Sequence, residues 1–173
     1  MPQDASQNSL VLPILGLLGE SPVHAYDLAT RVRERCPHLD PTRSTVATLL
    51  KSMARAGLVT PNEPEQVGNR PPRTEYELTE AGRVRYREKV EAGLRDSPAG
   101  SVDFVVALTH LAAIDSGRAA ELLRARMRRL EEDYAVLSDT SRPPAPEASY
   151  WRGILSAEIA WVATLVEHDL AKQ

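Results

Sequence analysis

Apolar positions along this chain fall into helical periods, separated by breaks rich in proline and glycine. Leu10 to Leu18 (LVLPILGLL) is almost wholly apolar. It predicts a short helix buried on most sides, with Pro13 tolerated in its first turn. After the Gly19-Glu20-Ser21-Pro22 turn, a second helix opens at His24 and runs to about Arg35. Tyr26, Leu28, Ala29 and Val32 are its inward candidates, and Cys36-Pro37-His38 ends it. In the next stretch Val46, Leu49, Leu50 and Met53 repeat at i, i+3, i+4, i+7, a core-facing stripe. Asp40, Thr42 or Ser44 can cap this third helix, and Gly57 stops it, because glycine accepts the left-handed conformation just past a helix end.

Beyond Gly57 the period changes. Leu58-Val59-Thr60 starts a strand, Pro61 to Pro72 reads as an exposed loop, and Arg73 to Thr79 alternates polar with apolar like a half-buried strand. Three helices followed by a β-hairpin with a long tip make a winged helix. Thr79 then caps a helix from Glu80 to Leu94. Ser97-Pro98-Ala99-Gly100-Ser101 is the expected domain boundary, dividing residues 1–97 from 101–173. The second part reads as three helices, Val102–Ile114, Gly117 to about Leu137, and roughly Glu147–Ala171. Leu123, Met127, Leu130, Tyr134 and Leu137 step by 4, 3, 4, 3, and so do Trp151, Leu155, Glu158, Val162 and Leu165. Both are heptad seams. The fold class is mainly α with a small β-hairpin: an N-terminal winged helix-turn-helix and a C-terminal helical domain.

Composition narrows the function. The chain has 173 residues, 42% hydrophobic and 26% charged, as in globular domains. Its single Cys36 excludes an internal disulfide, and the four histidines show no metal-ligand spacing. No metal or cofactor is expected. The N-terminus lacks a signal peptide's basic and apolar regions, and no apolar run is long enough for a membrane span, so a cytoplasmic location is expected. Nothing brings paired titratable groups together for nucleophilic or general acid–base chemistry, so the chain is not read as an enzyme. The net charge of −3 is mildly unfavourable for nucleic acid. However, residues 1–97 carry 13 cations and 13 acids, whereas 98–173 carry 8 and 11. Arg31, Arg33, Arg35, Arg43, Lys51 and Arg55 are bunched, diluted only by Glu34 and Asp40. Such local patches govern phosphate binding.

The outer face of the third helix presents Ser44, Thr48, Lys51 and Arg55 and no carboxylate. A short helix with such a face fits the DNA major groove. Arg43, Ser44, Thr48 and Lys51 are candidates for groove or base-edge contacts and Arg55 for phosphate. Arg70 and Arg73 on the wing suit phosphate or the minor groove. Tyr26 reads as a core residue whose hydroxyl lies near the DNA backbone. An ordinary solvated helix face and a merely soluble loop are the competing readings.

Three stretches, LPILGLLGESPVHAYDL, STVATLLKSMARAGLV and GNRPPRTEYELTEAG, resemble in order and spacing the PadR family of bacterial transcriptional regulators. From Phe104 onward, FVVALTHLAAID, AELLRARMRRLEEDY and AEIAWVATLVE resemble the longer C-terminal region of one PadR subgroup. The resemblance implies a homodimeric winged-helix regulator, usually a repressor, that binds a double-stranded DNA operator and dimerises through its C-terminal helices. The seam residues Leu123, Met127, Leu130, Tyr134, Leu137, Leu155, Val162 and Leu165 are then the dimerisation candidates. The chain departs from the family at His24-Ala25-Tyr26, where His-Gly-Tyr is usual, and at Ala47-Thr48, where the family places an aromatic and a proline. Glu158 sits in the middle of an apolar stripe, where a carboxylate needs a partner. An arginine salt bridge is the preferred account. The alternative is a small-molecule effector pocket lined by Trp151, Glu158 and Trp161. A winged helix serving as a protein-interaction module is the alternative to DNA binding.

Overall fold

The computed structural model describes residues 8–63, 74–138 and 145–168. The chain divides after Lys89 into two compact units.

The first unit is built on α1 (Val11–Glu20), in which every residue from Val11 to Leu18 is buried. Its composition is poor for an isolated helix, since Gly16 alone costs about 1 kcal/mol relative to alanine. Burying each leucine or isoleucine contributes about 1.5–3 kcal/mol. Packing therefore outweighs propensity here, and Pro13 falls in the first turn as its chemistry requires. Around α1 lie β1 (Val23–His24), α2 (Ala25–Arg35), α3 (Arg43–Arg55), β2 (Val59–Pro61), β3 (Glu75–Leu78) and the start of α4 (Glu80–Asp96). Leu28, Val32, Val46 and Leu50 close over Ile14 and Leu15 in one core.

The sheet has three strands in the order β1-β3-β2, all antiparallel. Strand β1 departs from the sequence reading, which began α2 at His24. Val23 pairs with Tyr76 and His24 with Glu75, so α2 starts one residue later. Two residues are too few to carry a period, and the distant pairing with β3 makes them a strand. Pro61 ends β2, an edge strand, where its missing N–H removes no ladder bond that a neighbouring strand needs. This is a winged-helix arrangement.

Both ends of α3 are fixed by local chemistry. Of the three capping candidates it is Thr42 that caps, its Oγ1 accepting from the Thr45 N–H at 3.1 Å. At the other end Gly57 takes φ +71°. The Leu58 N–H then reaches the Met53 carbonyl at 2.9 Å and the Gly57 N–H the Ala54 carbonyl at 3.0 Å. That pair of bonds is the Schellman ending. The Thr79 hydroxyl donates to the Gly57 carbonyl at 2.7 Å and accepts from the Gly82 N–H at 3.0 Å, joining the end of α3 to the start of α4.

In the second unit Val90 and Leu94 of α4 are fully buried. They are followed by α5 (Val102–Thr109), a 3₁₀ turn (Leu111–Ala113), α6 (Ser116–Ser138) and α7 (Pro146–His168). Helices α6 and α7 pack along each other. The 97–101 segment, which the sequence reading makes the domain boundary, lies in this unit. Its Ser97 carbonyl accepts from Arg126 Nη1 at 2.6 Å and from Arg129 Nη2 at 2.8 Å. Among the described residues no helix is long and apolar enough to cross a membrane.

A side chain at Gly82 has nowhere to go, because a Cβ there would lie 2.1 Å from the Leu58 carbonyl oxygen. Gly82→Ala is expected to destabilise the protein by at least about 1–3 kcal/mol, the usual cost of overpacking. Urea denaturation of the variant beside the parent checks this, and an unchanged midpoint would contradict it.

Candidate nucleic-acid interface

Helix α3 turns Val46, Leu49, Leu50 and Met53 into the core and leaves Arg43, Ser44, Thr48, Lys51 and Arg55 exposed. The two faces follow directly from the helical period, and the cap and Schellman ending hold the helix to a little over three turns. Ala47, where the resembling family places an aromatic, is half-buried.

Side-chain partners sort the clustered cations. Arg33 is tied to Asp40 at 3.2 Å and Arg35 to Glu20. The Glu20 hydrogen bond raises the Arg35 pKa further above its ordinary value, against a smaller opposing effect of burial. Among the described residues Arg31, Lys51 and Arg55 form no ion pair. The two long cations on the outer face of α3 are thus open to an external anion. The Ser44 hydroxyl lies 3.0 Å from Thr42 Oγ1 and shares the capping cluster.

Arg43 is held differently. Its guanidinium carbon lies 3.8 Å from the centre of the Tyr26 ring, displaced toward the phenol end, where Nη2 donates to the Tyr26 hydroxyl at 2.6 Å. Tyr26 is therefore not the core residue the sequence reading makes it, being 49% exposed. It precedes Leu28 by two residues, which on a helix places it on the other side from Leu28 and Val32. An exposed cation–π contact is worth about 0.5–1 kcal/mol, enough to populate one Arg43 orientation over others. Beneath the wing, His24 Nε2 lies 3.4 Å from a Glu75 carboxylate oxygen across the β1–β3 pair. Asn62 donates its N–H to the Glu75 carbonyl at 2.9 Å, continuing the pairing toward the tip. Arg70 and Arg73, the wing candidates, lie outside the described residues.

The C-terminal candidates separate into groups. Leu123, Leu130, Leu155 and Val162 are buried within the single chain, in the packing of α6 and α7. Met127, Leu137 and Leu165 are half-buried, and Tyr134 is exposed. Glu158 has its arginine: Arg126, 0% exposed, donates from Nε to Glu158 Oε1 at 2.6 Å. The other carboxylate oxygen accepts from the Gly100 N–H at 2.7 Å, and the Arg126 guanidinium lies 3.9 Å over the Phe104 ring. Burial lowers the Arg126 pKa, and the Glu158 hydrogen bond works against that shift. Trp161 meets Phe104 edge-on at 6.4 Å, whereas Trp151 pairs with Tyr150 at 5.9 Å. Glu158 and Trp161 therefore belong to a structural cluster centred on Arg126. The sequence reading did not single out Arg126, and the signal for it was the carboxylate in an apolar stripe.

Residues 14–88 match the family model described as "Transcriptional regulator PadR-like family". The chain is similar to Bacillus subtilis PadR solved in complex with operator DNA, at 16% identity over 92% of this chain and 98% of that one, with a TM-score of 0.48. It is similar to the same organism's PadR solved with p-coumaric acid, at 15% identity over 92% and 97% of the chains and a TM-score of 0.42. Another similar structure is smu.1604c from Streptococcus mutans, at 20% identity over 93% and 98% and a TM-score of 0.42. No curated protein matches the chain.

Removing one partner of the buried pair exposes its cost. Glu158→Leu leaves the Arg126 charge buried without its counter-ion and is expected to destabilise by about 3–5 kcal/mol. Arg126→Met combined with Glu158→Leu is expected to lose less than that single change. Urea unfolding of both variants checks the coupling, and a double variant as unstable as the sum of the two single changes would refute it.

Proposed function

Taking residues 14–88 as a PadR-like transcriptional regulator segment, we propose that this chain is a sequence-specific DNA-binding regulator that acts as a homodimeric repressor. One observation carries the reading. The exposed face of α3 holds hydroxyls and, with no carboxylate of its own, the cations Lys51 and Arg55, which form no ion pair among the described residues, beside the base of a wing. In this reading α3 enters the major groove, with Arg43, Ser44, Thr48 and Lys51 toward the bases and Arg55 toward phosphate. Arg70 and Arg73 extend the contact along the backbone from the wing. Residues 1–97 are assigned to DNA and 101–173 to dimerisation.

Support for a dimer comes from apolar side chains that a single chain leaves in solvent. Tyr134, Val136, Tyr150, Trp151 and Trp161 on α6 and α7 are all exposed. With two copies, two α3 helices would reach half-sites whose centres lie about 34–36 Å apart or a multiple of that. The proposal extends to a small-molecule effector received on α7 near Trp151 and Trp161, releasing DNA by shifting the population of dimer geometries. Both indoles are roughly half exposed, at 45% and 49%, so their fluorescence would report such binding. Flat titrations across a broad panel of compounds would count against an effector there.

A mobility-shift titration of the full chain, against DNA from upstream of its own gene and against genomic fragments, tests the main reading. A discrete complex that survives unrelated competitor supports it. Competitor-sensitive smearing with every fragment would favour a protein-interaction module instead. Lys51→Ala and Arg55→Ala are each expected to weaken binding and to lower the slope of log affinity against log salt by about 1. Slopes equal to the parent's would remove these residues from the interface.

A further inference from the structure

Arg43 differs from every other candidate on α3. Lys51 and Arg55 are exposed cations on flexible stems, whereas Arg43 is held at two points, its guanidinium carbon 3.8 Å from the Tyr26 ring centre and one nitrogen bonded to the phenol oxygen at 2.6 Å. Arg43 is also the first residue of α3, directly after the Thr42 cap. In helix-turn-helix docking it is the N-terminal end of the recognition helix that meets base edges. A held fork helps a bidentate contact to phosphate as well as to a base, so it is the place of Arg43 at the N-terminal end of α3 that favours a base edge. A bidentate base contact gains a great deal, because two parallel N–H donors must match guanine O6 and N7 together. Holding the plane before binding lowers the ordering cost of that match. The bond to the Tyr26 hydroxyl is made from Nη2, and a guanidinium carries five N–H groups, enough to offer a donor pair beside it.

We propose that Arg43, clamped on Tyr26, reads a guanine in each operator half-site, and that Tyr26 is the positioning residue that sets this preference. The inference rests on the DNA-binding reading above and adds to it a specific base and the residue that orients its reader. It also gives Tyr26 a role distinct from backbone contact: the ring acts through Arg43.

The test is selection of binding sites by the full chain from a randomised duplex pool, followed by affinities for single-base changes in the selected site. The parent is expected to select a site with one guanine per half-site whose replacement costs about 5- to 150-fold in affinity. Arg43→Lys keeps the charge but loses the planar fork, so it should flatten the preference at that position and leave the salt slope unchanged. Tyr26→Leu should flatten the same position and no other, while Tyr26→Phe, which keeps the ring beneath the guanidinium, should retain more of the preference than Tyr26→Leu. Thermal melting of each variant confirms that it folds.

If Arg43→Lys binds every site with the parent's preferences, or if Arg43→Ala weakens all sequences equally and lowers the salt slope, Arg43 is a phosphate contact and the proposal fails. If Tyr26→Leu leaves the preference intact, the positioning role fails. A parent that selects no site overturns the DNA-binding reading itself, and this inference with it.

Discussion

The hydroxyl of Thr79 fixes where α3 sits against the sheet. It donates to the Gly57 carbonyl at the end of α3 and accepts from Gly82 in the first turn of α4. The Thr79 N–H adds a bond to the Leu58 carbonyl at 3.1 Å. Gly82 lies so close to that carbonyl that nothing larger than hydrogen fits between them. The ends of α3 and β3 and the start of α4 thus meet through backbone groups and one short hydroxyl, with no space for a side chain at Gly82. A junction of this kind has one arrangement and transmits displacement instead of damping it. The outer face of α3 and the base of the wing consequently hold a fixed relation within the first unit, which a surface meant to match DNA requires.

The same sequence uses arginine in three physically distinct ways. Arg33 and Arg35 close exposed pairs with Asp40 and Glu20, contacts of modest energy that neutralise charge near α2. Arg126 does the reverse, carrying its charge into an interior where desolvation would be prohibitive without Glu158 and the carbonyls of Ser97 and Pro98. Among the described residues Lys51 and Arg55 form no ion pair, and Arg43 is held by an aromatic ring and its hydroxyl. A net charge of −3 describes none of this. What matters for an anionic partner is which cations are already neutralised, and that is decided by contacts between residues far apart in the chain.

The heptad seams show a related ambiguity. The 4, 3 spacing of α6 and α7 specifies that each helix has an apolar stripe, but says nothing about which helix covers it. The structure lets the two helices of one chain cover each other at Leu123, Leu130, Leu155 and Val162. What α6 and α7 leave exposed, from Tyr134 to Trp161, lies partly off those seams. Glu158 resolves in the same way: its stripe position demanded a cation, and the pairing of α6 with α7 supplied Arg126 from within the chain.

Features that depend on neighbours a few residues apart are legible in the sequence. Buried α1, the two-faced α3 with its glycine stop, the capped start of α4 and the presence of two long C-terminal helices all follow from local spacing and caps. Features that depend on residues distant in the chain emerge only on folding: the third strand at Val23–His24, the exposed Tyr26 beside Arg43, and the Arg126 cluster that binds the 97–101 segment. Periodicity records which side of an element avoids water. It carries no record of the partner that side or its opposite will meet, because the partner is selected by the folded arrangement of the whole chain.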